Sequence, residues 1–323
     1  MLTVNDKYGH EYSSPEDAVE LHIKSCYLGK IINLSATLTC LDCSHNRLSE
    51  LPMLPDTLVH LNCTVNYMKY LPTLPSSLLF LYCSRNLLCE LPELPDKLEY
   101  LNCSYNNLDN VPRLPISLTS FTCSNNNLKQ LPNLPTNLTS LDFSCNKITH
   151  IVELKNLPKL TLLYCNNNEL NSLPELPSSL TKIWCQHNKL SSLPQLPTIM
   201  ITLLCSHNKL NTLPHLGKNI KSVKCNSNNI YYLPELNTDL YIDIASNPVH
   251  NLLRCSTLKQ KITILNKFRF NYYSLKLKKN FRHWLWDKVR RPKLEEKYHP
   301  NNLFKILENV EDEEQLHNVI SVW

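Results

Sequence analysis

Asparagine returns along this chain at a near-fixed interval, at Asn46, Asn66, Asn86, Asn106, Asn126, Asn146, Asn168, Asn188, Asn208, Asn228 and Asn247. Each stands in the same phrase, L-x-x-L-x-C-x-x-N-x-L-x-x-L-P-x-L-P, of which LTKIWCQHNKLSSLPQLP (residues 180–197) is a full copy. A unit this short cannot bury its own apolar side chains, so it has to stack on its neighbours, and eleven copies in a row specify a solenoid. The 323 residues would otherwise allow two globular domains.

Within one unit the letters divide by job. In Leu58 to Pro75, the residues Leu58, Leu61 and Cys63 alternate with outward positions at the period of a short strand. Asn66 turns the chain, and its side-chain amide can bond backbone groups of adjacent coils, so that stacked asparagines form a ladder. Met68 and Leu71 re-enter the core. Pro72 and Pro75 fix φ and remove donors, which predicts an extended, polyproline-like return limb with no helix. The chain has only 3 glycines against 21 prolines, so Asn and Pro must make the turns.

The pattern L-x-x-L-x-C-x-x-N-x-L followed by L-P-x-L-P resembles the leucine-rich repeat. Its short, helix-free, Leu-Pro-rich form is similar to the subtype of secreted effectors from enteric bacteria, and the Cys before the Asn is similar to repeats encoded by giant DNA viruses of the mimivirus kind. The resemblance covers residues 38–251. It implies a leucine-rich repeat solenoid with a parallel sheet on its concave face and extended convex limbs, and it says almost nothing of activity.

Four segments are expected. Residues 1–35 form an N-terminal helical cap, since Ser14-Pro15-Glu16-Asp17 reads as a helix start followed by an apolar face of Ala18, Leu21 and His22, with Ser25 and Cys26 beyond. Residues 36–251 are the repeats, 252–275 a capping helix with Leu252, Leu258, Ile262, Leu265 and Phe268 at helical spacing, and 276–323 a basic amphipathic tail. One unit departs from the rest. Phe143 stands in place of Cys, and the next unit, IVELKNLPKLTLLYC, is two residues longer, so Asn156, Leu157 and Pro158 are expected to relax the curvature or expose a bulge.

The 14 cysteines invite a disulfide or metal reading. The beginning MLTVNDKYGHEYSS lacks the basic-then-apolar pattern of an export signal, and no apolar run reaches membrane-spanning length, so reduced thiols in a cytosol-like compartment are expected. Nine cysteines, Cys43, Cys63, Cys83, Cys103, Cys123, Cys165, Cys185, Cys205 and Cys225, occupy one inward repeat position. Neighbouring strands lie about 4.8 Å apart, further than the roughly 3.5–4.5 Å between disulfide Cβ atoms, and a linear stack offers no tetrahedral set. The column is read as packing, with no metal and no cofactor.

No Gly-rich phosphate loop, G-x-S-x-G or H-E-x-x-H occurs, and the chain is read as non-enzymatic. Several bacterial effectors with this repeat subtype carry a large C-terminal ubiquitin-ligase domain with a nucleophilic Cys. The resemblance therefore implies that activity as a third reading, but only about 70 residues follow the repeats here and their sole cysteine is Cys255.

Recognition is expected on the outward strand positions. Two clusters stand there: Phe80, Tyr82 and Tyr100, with His60 alongside, and Leu162, Tyr164, Trp184 and Leu204, with Lys182 and Lys224 nearby. Large apolar groups on a solvated face suit a protein interface. Cross-strand stacking that stabilises the sheet is the competing account. The second candidate is the tail, where residues 276–297 hold nine Lys or Arg against three acids. Lys278, Lys279, Arg282, Lys288, Arg290 and Arg291, interleaved with Phe281, Trp284 and Trp286, suit nucleic acid or an anionic membrane. The competing account packs Trp284, Leu285 and Val289 on the solenoid end. The partner is expected to be a protein, and the chain itself a monomer. The overall charge of +5 is too diffuse to argue for nucleic acid by itself.

Overall fold

The computed structural model describes residues 2–5, 9–151, 153–231, 233–236 and 239–249, together with 278–279, 282–284 and 286–293. The chain divides into two compact units, residues 1–262 and 263–323. The first opens with strands β1 (Leu2–Asn5), β2 (Gly9–Ser13), β3 (Glu20–His22) and β4 (Leu28–Asn33). The repeats then contribute β5 (Cys40–Asp42), β6 (His60–Asn62), β7 (Phe80–Tyr82), β8 (Tyr100–Asn102), β9 (Ser120–Thr122) and β10 (Ser140–Asp142). After the long unit follow β11 (Leu162–Tyr164), β12 (Lys182–Trp184), β13 (Thr202–Leu204), β14 (Ser222–Lys224) and β15 (Tyr241–Asp243).

Strand β3 and strands β5 to β15 make one twelve-stranded parallel sheet in sequence order, each strand paired with the one before it. The middle residue of each strand points into the coil. Leu41, Leu61, Leu81, Leu101, Phe121, Leu141, Leu163 and Leu203 are completely buried, and so is every cysteine of the inward column. The expected fold is the one observed: a parallel-stranded leucine-rich solenoid with irregular, proline-bearing return limbs.

The asparagine ladder is what ties coil to coil. Asn66 accepts the backbone N–H of Leu48 at 2.9 Å through Oδ1, and its Nδ2 donates to the carbonyls of Cys43 and Cys63, both at 3.1 Å. Asn86, Asn106, Asn126, Asn188 and Asn228 repeat this arrangement between their own coil and the one before. An Asn is required because one side chain must both accept and donate; Asp could not donate to the carbonyls.

The turn before each ladder Asn is left-handed. His45, Val65, Arg85, Tyr105, Cys145, His187 and His207 all hold φ between 53° and 57°, and so does Asn125. The corner is held from outside, since His45 N–H donates to the Thr64 carbonyl at 2.8 Å and Asn46 N–H to Val65 at 3.2 Å. Without a glycine to take this conformation, each coil bears some steric strain there.

Two expectations need correction. Residues 14–22 do not start a helix. Pro15 to Ala18 make a single turn, with Ala18 N–H bonded to the Pro15 carbonyl, the same turn that Pro55 to Leu58 make at the start of a full repeat. Residues 20–22 are then strand β3, in register with β5. The N-terminal segment is a degenerate coil: Leu21, Ile23, Leu28 and Ile31 are buried, and Cys26 holds the Asn position, where Asn46 Oδ1 accepts the N–H groups of both Cys26 and Leu28. Ser-Pro-acid chemistry opens a helix and this turn equally well, and the neighbouring strand decides between them. A three-stranded sheet in the order β1-β2-β4 accompanies this coil.

Leu157, second, is buried, not bulged. The two extra residues are absorbed in the return limb as a 3-10 turn, Leu154–Asn156, and add Leu154 and Leu157 to the core. Phe143, larger than the Cys it replaces, is fully buried in the preceding coil, and β10 still pairs β11 in register. The expected capping helix over 252–275 lies outside the described residues.

Candidate functional site

The first and third residues of each strand face away from the core, and register brings the expected clusters together. His60 and Phe80 stack face to face across β6 and β7, with centroids 4.4 Å apart and planes 1° from parallel. Tyr82 and Tyr100 meet diagonally at 4.7 Å across β7 and β8. Tyr164 and Trp184 form an edge-to-face pair at 4.8 Å across β11 and β12, and Trp184 lies in register with Leu204 on β13. Pairing of this kind stabilises a sheet, yet it does not consume the surface. Phe80, Tyr82, Tyr100, Leu162, Tyr164 and Leu204 stay half-buried, and Trp184 remains 39% exposed. Burial, and next the neighbouring Tyr82 phenol, push the Tyr100 hydroxyl above its ordinary value, so it stays a neutral donor.

The face changes character along its length. Its N-terminal strands carry Glu20, His22, Cys40 and Asp42, with Glu20 and His22 3.6 Å apart. Burial, followed by Glu20 and Asp42, raises the Cys40 thiol. Reading 14–22 as a helix concealed this end of the face. Among the described residues no three His, Cys, Asp or Glu side chains stand together as a metal-holding group. At the other end Lys182 and Lys224 are exposed.

A second surface row, absent from the sequence reading, runs along the left-handed corners. His187 and His207 stack at 4.2 Å, 9° from parallel, and Arg85 lies over Tyr105 at 4.4 Å. Burial and the facing His207 hold His187 below the usual imidazole value. Its only sequence signal is the fixed position before each ladder Asn, where the residue types vary too much to mark a site.

The inward thiols are unreactive by environment. Burial pushes Cys63, Cys103, Cys185 and Cys225 up to about 12, and Cys43, Cys83, Cys123, Cys165 and Cys205 rise well above the ordinary range through burial and then a neighbouring thiol. All the described cysteines are free.

In the second unit, Lys278, Lys279, Arg282, Lys288, Arg290 and Arg291 are exposed on helical backbone that includes a π-turn, Trp286–Arg290. Trp284 and Trp286 are half exposed. No described helix is long and apolar enough to cross a membrane.

No protein-family model matches the chain, and no curated protein matches its sequence. Solved structures do. The leucine-rich effector YopM from Yersinia pestis is 31% identical over 71% of this chain and 78% of its own, with a TM-score of 0.62. YopM from Yersinia enterocolitica is 30% identical over 73% of this chain and 66% of its own, with a TM-score of 0.50. The functional domain of InlJ from Listeria monocytogenes, described as including a cysteine ladder, is 25% identical over 72% of this chain and 59% of its own, with a TM-score of 0.56. Stacked parallel strands, the Asn ladder and these likenesses define a leucine-rich solenoid. The chain belongs to the leucine-rich repeat proteins.

Proposed function

We propose that this chain is a non-enzymatic scaffold that binds a protein partner on its concave sheet face, through Phe80, Tyr82, Tyr100, Leu162, Tyr164, Lys182, Trp184, Leu204 and Lys224. The observation that carries this reading is Trp184, which stays 39% exposed although it forms an edge-to-face pair with Tyr164. A rigid sheet presents such anchors with little ordering left to lose on binding. The thiol environment supports the non-enzymatic part, since values raised towards 12 oppose thiolate formation. The Cys-before-Asn repeat, similar to those of giant DNA viruses, favours a host protein as partner and the host cytosol as setting, with the scaffold monomeric.

The test is a Tyr164→Ser, Trp184→Ser double variant compared with the parent by proximity labelling in cells. The variant should unfold cooperatively, like the parent, and lose its labelled partner. Unchanged labelling would sink the concave-face reading.

A second reading makes the chain an adaptor whose tail engages nucleic acid or anionic membrane. It is favoured by the exposed basic residues beside half-exposed Trp284 and Trp286. Salt-sensitive binding to RNA or anionic vesicles that disappears on deleting residues 276–323 would establish it.

A further inference from the structure

We infer that strands β12 to β14 take an acidic, extended segment of the partner, with a large apolar side chain of that segment seated against Trp184 and Leu204. This rests on the concave-face reading and adds the chemistry of what is bound.

The outward positions of β3 and of β5 to β11 carry no Lys or Arg; their charged groups are Glu20, Asp42 and Asp142. The next three strands reverse the sign, with Lys182 on β12, Lys224 on β14, and Lys221 at the rim just before β14. All three are exposed, and none joins an ion pair among the described residues. Elsewhere on the same solenoid an exposed lysine with a carboxylate in reach does pair, as Lys189 does with Glu169 at 2.7 Å. Asp243 stands in register with Lys224, and a single carboxylate leaves the patch cationic.

The register sets the layout. Trp184 is followed across the sheet by Leu204 and then Lys224, while Lys182 leads to Thr202 and Ser222. Lys182 and Lys224 thus occupy opposite corners of a patch two strand spacings wide, about 10 Å, with Trp184 at a third corner and Leu204 midway along the edge from Trp184 to Lys224. An extended peptide rises about 3.3 Å per residue, so carboxylates two or three residues apart reach both corners while a residue between them meets Trp184 and Leu204. A phosphate backbone fits less well. It would run on towards Asp142, and the edge-to-face contact with Tyr164 already uses part of the aromatic surface that a base would stack on.

The experiment selects a displayed library of random dodecapeptides on the full chain. Enriched peptides should hold paired Asp or Glu flanking a large apolar residue. A synthetic representative should bind roughly tenfold or more weakly to a Lys182→Glu, Lys224→Glu variant and lose affinity with added salt. Enrichment without acidic bias, or no enrichment, overturns the inference. Binding lost in Trp184→Ser but unmoved by charge reversal leaves the concave face standing and removes the acidic partner. Binding kept by the Tyr164→Ser, Trp184→Ser variant removes both. A single-stranded RNA oligonucleotide bound with the same lysine dependence makes the ligand a nucleic acid instead.

Discussion

The two faces of the same strands follow opposite rules. Inward positions hardly change: a buried apolar residue, mostly Leu, at the strand centre, a buried Cys two residues on in most coils, and Asn at the corner, buried in most coils and partly buried at Asn208 and Asn228. Outward positions change with almost every strand, from Glu20 and Asp42 through Phe80 and Tyr82 to Trp184 and Lys224. A close-packed interior tolerates few volumes and leaves few polar groups unpaired, whereas a solvated face is constrained mainly by what touches it. Inward substitutions should therefore cost stability and outward ones binding.

The sharpest break of the inward rule is Phe143→Ala. Phe143 already departs from the repeat and is fully buried beside the longest unit, so the cavity should cost about 3–5 kcal/mol in denaturant unfolding. A loss below about 1 kcal/mol would show that the coil collapses around the gap.

Asn106→Ala comes next. It orphans the Leu88 N–H, which Asn106 Oδ1 accepts at 3.0 Å, and removes one of the two amide donors from each of the Cys83 and Cys103 carbonyls, which keep Asn86 and Asn126, and should cost about 2–3 kcal/mol. Amide exchange would show where the loss falls, with protection dropping first at Leu88.

The cysteine column predicts an alkaline limit. Thiols ordinarily titrate near 9.0, whereas folded Cys63, Cys103, Cys185 and Cys225 titrate near 12. Between those values the unfolded chain sheds protons first, so the stability these thiols contribute is whole below pH 9 and lost as pH rises towards 12. Thermal melts across that range should show the fall. At neutral pH, thiol reagents should reach exposed Cys89 and spare the column until the chain unfolds.

The smallest effect on stability is expected outside. Phe80→Ser removes the stack on His60 and should cost only about 0.5–1 kcal/mol by denaturant midpoint. A cost as large as that of Asn106→Ala would make the outward aromatics structural and erase the distinction between the faces.

Period and letter by themselves determined the solenoid, the inward Leu and Cys columns, the Asn ladder and the outward residues, because a repeat of fixed length admits one register and strand alternation then assigns each side chain to a face. The aromatic clusters were legible for the same reason. Tertiary structure decided what local chemistry leaves degenerate. Ser14-Pro15-Glu16 fits a helix cap or a repeat turn, and only the pairing of β3 with β5 made it the first coil of the sheet. The left-handed corners at Val65 and Tyr105 run against their residue preferences and exist because neighbouring coils hold them by hydrogen bonds. The two-residue insertion could have bulged outward, but burying Leu154 and Leu157 in the core turned it into a 3-10 turn, since apolar groups that can join a packed interior leave water.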